Sequence, residues 1–228
     1  MEKTQNSLKQ QIYEDLKRKI VTCEILPGAQ LTEEILCDML NASRTPVRDA
    51  VSRLEQEQLV TIYPKKGIYV NRISLNNVSE LFEARLNLEP YAVEHYGNRI
   101  RDVEYADWLT YFENQNGNDP DIYLKDDAFH QMFIDAAGNR YINRFYRTVS
   151  EQNMRFRVLT GLGERLSAGR EEHLNIVRHC LMGNWADAAE AMRFHLGNSK
   201  IAIIRYVQEQ NLDAKNIFLQ ARTEVTEE

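Results

Sequence analysis

The chain has 228 residues, with 28 Lys and Arg against 34 Asp and Glu, a formal charge of −6. At about 100–200 residues per domain this suggests one large domain or two small ones, and 43% hydrophobic with 27% charged residues is ordinary for a globular protein. Ten Gly and five Pro exclude a collagen-like or linker-dominated chain, and the longest apolar run, Ile201–Ile204, falls far short of the ~20 residues of a membrane helix.

The first residues, Met1 to Asn6, carry no apolar stretch behind their charges, so no signal peptide is read there. Cys23, Cys37 and Cys180 are few, odd in number and far apart, which points to reduced thiols and a cytoplasmic setting. Cys23 and Cys37 fall on apolar stripes and are expected in the core. Residues 1–72 hold 11 Lys/Arg against 10 Asp/Glu, net +1, and the remainder 17 against 24, net −7. A near-neutral head at 1–72 and an acidic body at 73–228 follow from that asymmetry.

In the head, Ile12, Leu16, Ile20 and Cys23 are spaced for an amphipathic helix over 7–23, stopped by Leu26-Pro27-Gly28. Thr32 is placed to cap a second helix reaching Leu40, with Glu33 and Glu34 in its first turn. Asn41-Ala42 makes a tight turn. Ser43 then caps a third helix, with Pro46 near its start and Val47, Ala50, Val51 and Leu54 as its buried stripe. Residues 59–63 and 68–70, around Pro64-Lys65-Lys66-Gly67, read as a hairpin.

The body reads as helices alone. Ser74 caps one running to about Tyr96, and others are expected at 102–114, 121–137, 139–160, 167–182 and 185–209. Loop signals stand at 114–120, Gly138-Asn139, Gly161-Leu162-Gly163 and Gly183-Asn184. Short connections between long helices imply an antiparallel bundle. A polar tail after about Asn211, ending in Glu227 and Glu228, is expected to fray. The expected fold is mostly α, a winged helix-turn-helix followed by an all-α bundle.

Helix, turn, helix and hairpin is the order of a DNA-reading winged helix, whose second paired helix enters the major groove. Arg44 and Arg48 are four apart and share the helix face opposite Val47 and Val51. Arginine grips guanine or phosphate by two bonds, while Ser43 and Thr45 suit a phosphate at a helix start. Lys65 and Lys66, beside Gly67 at the hairpin tip, can reach the minor groove or the backbone. The plain alternative is a solvated helix face and a soluble turn. The stretch Leu26-Pro27-Gly28-Ala29-Gln30-Leu31-Thr32-Glu33-Glu34, with Asn41-Ala42-Ser43-Arg44-Thr45-Pro46-Val47-Arg48-Asp49-Ala50 and Lys66-Gly67-Ile68-Tyr69-Val70, resembles the GntR family of bacterial transcription regulators. The resemblance implies a recognition helix opening at Ser43, with Arg44 and Arg48 on bases and phosphates. Glu33-Glu34 departs from the basic residue of many members, which implies one arginine contact fewer.

In the body, Asp126 and His130 lie four apart on one helix and point the same way. Asp127 lacks that offset. With His173 and His195 on later helices they make a donor set suited to Zn2+, Ni2+ or Mn2+. The bland alternative for each histidine is a surface or satisfied core residue, the reading given to His95 and His179. Asp126-Asp127-Ala128-Phe129-His130, Glu172-His173-Leu174-Asn175-Ile176-Val177 and Ala191-Met192-Arg193-Phe194-His195-Leu196 resemble the FCD effector domain, as does Glu80–Pro90. That resemblance implies metal ligation by Asp126, His130, His173 and His195. It also implies a neighbouring cavity for a small organic acid, where Arg85 would grip a carboxylate unless it pairs with Glu89 at i+4.

The two resemblances together imply a ligand-responsive regulator, commonly a repressor. It would be homodimeric through the body and bind double-stranded operator DNA at paired half-sites. One rival is a repressor for which the ion itself is the signal. The other is a helical metal-dependent hydrolase, which the missing His-Glu-x-x-His pattern disfavours.

Overall fold

A computed structural model describes residues 2–115, 119, 121–161 and 165–210. It divides into two units, the first ending at Ile73 and the second spanning Ser74–Gln210. The segments 116–118, 120 and 162–164, and everything from Asn211 on, lie outside the described residues. These include parts of two expected loops and the polar tail.

In the first unit, α1 (Glu2–Val21) buries Ile12, Leu16 and Ile20 against α3 (Arg44–Gln56), which returns Val47, Ala50, Val51 and Leu54. Each such side chain removed from water is worth about 1.5–3 kcal/mol. The helix starts at Glu2 rather than residue 7, because polar residues without apolar periodicity extend an existing helix without signalling it. It ends at Val21 rather than 23. Cys23 has φ +55 and forms the stop, so it is only partly buried. Cys37, on α2 (Glu33–Met39), is also half-buried and packs against the head's core.

Thr32 accepts from the Ile35 N–H at 3.2 Å and caps α2 as expected. Ser43 has the extended backbone of a cap (φ −75°, ψ 165°) but makes no side-chain cap bond, contrary to expectation. Its hydroxyl is exposed instead.

The wing is a three-stranded antiparallel sheet in the order β1–β3–β2, made of Gln30–Leu31, Gly67–Val70 and Val60–Tyr63. Leu31 pairs with Ile68 and Thr61 with Tyr69. Two residues carry no period, so β1 left no sequence signal. Gly67 has φ +112, and a Cβ there would meet the Leu31 carbonyl oxygen at 2.8 Å. Gly67→Ala is therefore expected to destabilise the head by about 1–3 kcal/mol. Chemical denaturation followed by circular dichroism would measure this, and an unchanged midpoint would contradict it.

The elements of the second unit among its described residues are all helices, from α4 (Leu75–Tyr96) through α5 (Asp102–Asn114), α6 (Ile122–Ala136), α7 (Arg140–Thr160) and α8 (Arg165–Leu181) to α9 (Trp185–Glu209). Only a three-residue 3-10 turn, Gly97–Arg99, was not expected. Ser74 and Asn77 form a reciprocal capping box at the start of α4. Helix α9 packs along α4 and α8, α5 packs on α8, and α6 lies between α4 and α7. Phe82, Phe112, Phe129, Phe133 and Met192 fill the interior between them.

Candidate metal centre and nucleic-acid interface

The apolar stripe of α3 turns its other face outward. Ser43, Arg44, Thr45 and Arg48 are all exposed, as are Lys65 and Lys66 at the wing turn, with Gly67 half-buried behind them. Lys65 takes φ +63, and Gln30 Nε2 donates to the Lys66 carbonyl at 2.7 Å, tying the turn to β1. Arg48 Nε donates to Glu33 Oε1 at 2.7 Å while its side chain stays 63% exposed. The acidic departure in α2 thus has a local role: Glu33 holds the Nε edge of Arg48.

In the bundle, the ring nitrogens of His130 (α6), His173 (α8) and His195 (α9), all buried, lie within 4.8 Å of one another. His130 Nε2 and His173 Nε2 are 3.4 Å apart. Asp126, one turn before His130, brings Oδ2 to 3.4 Å from His130 Nε2 and Oδ1 to 3.5 Å from His173 Nε2. Two carboxylates set the ring orientations. His130 Nδ1–H donates to Glu89 Oε2 at 2.7 Å, and His195 Nδ1–H donates to Glu172 Oε2 at 2.8 Å. Donation from Nδ1 turns Nε2 of His130 and of His195 into the ring nitrogen free to meet an ion. Imidazole lone pairs turned toward one another beside a carboxylate are a donor set that fits a divalent ion. Phe112 stacks on His173 at 4.7 Å between ring centres, which holds that ring in place.

Glu89 is itself held by Tyr146 Oη, which donates to Oε1 at 2.7 Å, and by the Arg85 fork at 2.5 and 3.3 Å. Arg85 therefore adopts the i+4 pairing with Glu89. It is 3% exposed and contributes to a cavity wall only from that fixed position. Burial would push the Glu89 carboxyl up, but Arg85 and His130 more than offset it, and Glu89 stays ionised well below the usual carboxylate range. Asp126 follows the same pattern, with Arg157 as the main opposing charge. A cavity of about 480 Å3 adjoins the cluster and is lined by Asp126, His173 and His195 together with Arg85, Arg157, Arg165, Arg170 and Arg205.

Residues 8–70 match the family described as bacterial regulatory proteins, gntR family, and residues 80–198 match the FCD domain. The chain belongs to the GntR family, in its FCD-bearing branch. The regulator is a DNA-binding transcription regulator of that type. It is 32% identical to the HTH-type transcriptional repressor RspR of Escherichia coli K12 over 133 residues, covering 56% of this chain and 58% of RspR. Among solved structures, a GntR regulator from Rhodococcus sp. RHA1 superposes with a TM-score of 0.73 at 19% identity, over 87% of this chain and 98% of that one. The Zn2+-bound FCD domain of the transcriptional regulator TM0439 superposes with a TM-score of 0.51 at 20% identity, over 60% of this chain and 98% of that one. No described helix of the regulator is long and apolar enough to cross a membrane.

The regulator's sequence offered Glu89 only as a partner for Arg85, not for His130, and did not single out Glu172 or Arg157. A helix-face count cannot choose Glu172 over Glu171; only the three-dimensional approach to His195 does.

Burial, reinforced by the other imidazoles, pushes His173 well below its ordinary value, and burial pushes His195 down to about 4 despite its bond to Glu172. Both rings are thus neutral in the folded chain at a pH where the unfolded chain protonates them. Below pH ~6.5 the unfolded state binds more protons and folding stability falls with acid. His195 alone accounts for about 2 kcal/mol lost by pH 5. Glu172, lowered to about 2 where burial is outweighed by His195 and Arg165, adds to the loss below about 4.5. The metal-free regulator is expected to melt several degrees lower at pH 5 than at pH 7 in a calorimetric scan. An unchanged melting temperature would contradict the neutral, buried state of these rings.

Proposed function

We propose that the regulator is an operator-binding repressor whose body, residues 73–228, holds one divalent ion through Asp126, His130, His173 and His195. A small organic acid occupies the adjoining cavity. The observation that carries this reading is the convergence of three buried imidazoles, two of them oriented by Glu89 and Glu172. The Zn2+-bound TM0439 domain supports an ion, and Zn2+, Ni2+ and Mn2+ all suit this donor set. When bound, the ion supplies a Lewis-acidic charge at the edge of the cavity. The cavity wall carries five arginines, four of them paired with Glu89, Asp126, Glu172 and Glu171, and Arg205 on α9 adds a further positive charge that supports an anionic occupant. The repressor name of RspR supports the sign.

In the head, residues 1–72, the DNA contacts fall to Ser43, Arg44, Thr45, Arg48, Lys65, Lys66 and Gly67. Dimerisation through the bodies sets two heads on half-sites about one helical turn apart. The acid shifts operator affinity only by its differential affinity for the two arrangements of the dimer. The test compares operator binding by metal-free, Zn2+-loaded, and Zn2+-plus-acid regulator across a panel of small carboxylates. The reading expects an acid of the panel to change the affinity of the loaded form by about fivefold or more. Release or capture of DNA by the metal alone, with no acid effective, would instead establish a metal sensor. Metal-dependent hydrolytic turnover would overturn both.

A further inference from the structure

Asp126 stands where two different cations can claim it. Its Oδ2 faces His130 Nε2 and its Oδ1 faces His173 Nε2. The guanidinium of Arg157, reaching across from α7, pairs with Oδ2, the same oxygen that faces His130. Arg157 lines the arginine-rich cavity beside Asp126, His173 and His195, and its side chain keeps 17% exposure. The Tyr123 ring lies 6.0 Å from it, and Asp126 is its only ion-pair partner among the described residues.

A divalent ion drawn to the imidazole nitrogens needs the negative charge of Asp126 and is repelled by a guanidinium on the same oxygen. An arginine whose carboxylate is taken by an ion is left as a desolvated cation facing a cavity, and a bidentate organic carboxylate satisfies it.

Building on the metal-and-acid reading above, we propose that Arg157 is the resident counter-cation of Asp126, that the metal ion displaces it, and that the displaced guanidinium then grips the carboxylate of the acid in the cavity. Ion and acid are thereby positively coupled, because each removes a competitor for the other. An arginine that merely oriented Asp126 would help the ion to bind. The two roles differ in the sign of one measurement.

That measurement is Zn2+ affinity by competition with a chromophoric chelator, on the full chain. Arg157→Gln is expected to bind Zn2+ about tenfold or more tightly than wild type, and Arg157→Lys, which keeps the charge, to stay near wild type. In an Asp126→Asn background, Arg157→Gln should change Zn2+ affinity little, since the coupling runs through that carboxylate. Equal or weaker Zn2+ binding by Arg157→Gln, in protein with wild-type circular dichroism, overturns the proposal.

Should that variant fail to fold, the Arg157 Nε–H resonance of the wild-type chain is the second readout. It should shift on Zn2+ addition, and an unmoved signal also overturns the proposal. For the acid step, succinate titrated into the Zn2+-loaded chain should bind wild type and bind Arg157→Gln about tenfold or more weakly. Equal succinate binding by both removes Arg157 from the acid site. Failure of the loaded wild type to bind any acid of the panel defeats the cavity reading itself, with the sign of the Zn2+ change still deciding the competition for Asp126. Failure to take up Zn2+ at all defeats the metal reading and this proposal with it.

Discussion

His173→Ala is expected to lower Zn2+ affinity by more than about 100-fold, exceeding the 10–100-fold typical of losing an outer partner of a metal ligand. The reason is geometric. His173 Nε2 sits 3.4 Å from His130 Nε2 and 3.5 Å from Asp126 Oδ1, so it borders two of the other three donors. Its removal leaves two imidazoles and a carboxylate already paired with Arg157. Glu89→Gln should sit in the milder range, because it weakens the acceptor that fixes the His130 ring without removing a donor. Chelator-competition titration measures both. Wild-type affinity in His173→Ala would mean that the ion, if one binds, sits elsewhere.

Arg48→Ala is expected to weaken operator binding by about 10–100-fold, the range for one good bidentate contact to a base. If the contact is to phosphate, the slope of log affinity against log salt should flatten by about one unit. Arg48 is solvent-facing at the start of α3, and its pairing with Glu33 restricts the rotamers it would otherwise lose on docking. Fluorescence anisotropy on an operator obtained by in vitro selection, at several salt concentrations, gives both quantities. Unchanged affinity with an unchanged slope would remove Arg48 from the DNA interface.

The head was legible because its signals are local. Thr32 is followed at the right offset by an N–H it can accept, and Val47, Ala50, Val51 and Leu54 keep one helical stripe. Where the reading missed, the cause was also local. Ser43 has cap backbone without a cap bond, and β1 is too short to show a period.

The metal cluster divides differently. Asp126 and His130 are four apart on one helix and could be joined by counting. His173 and His195 sit on two other helices, and no spacing rule brings them to the same point; only the packing of α6, α8 and α9, or the resemblance to a known domain, does so. Glu89 lies 41 residues before His130, and Arg157 is one of five arginines on α7. Their roles come from which side chains the folded core forces together, which a single helix's periodicity does not encode. Arg85 shows how such a choice is settled. An arginine on an apolar helix face must find an anion, and Glu89, one turn away and fully buried, is there before any ligand.

The most direct measurement is anomalous diffraction at the zinc absorption edge from crystals of the Zn2+-loaded chain. The account predicts one peak per chain, about 2.0–2.1 Å from Nε2 of His130, His173 and His195 and about 2.0–2.2 Å from an oxygen of Asp126. A peak bound elsewhere, or no peak in crystals grown with excess Zn2+, would contradict it.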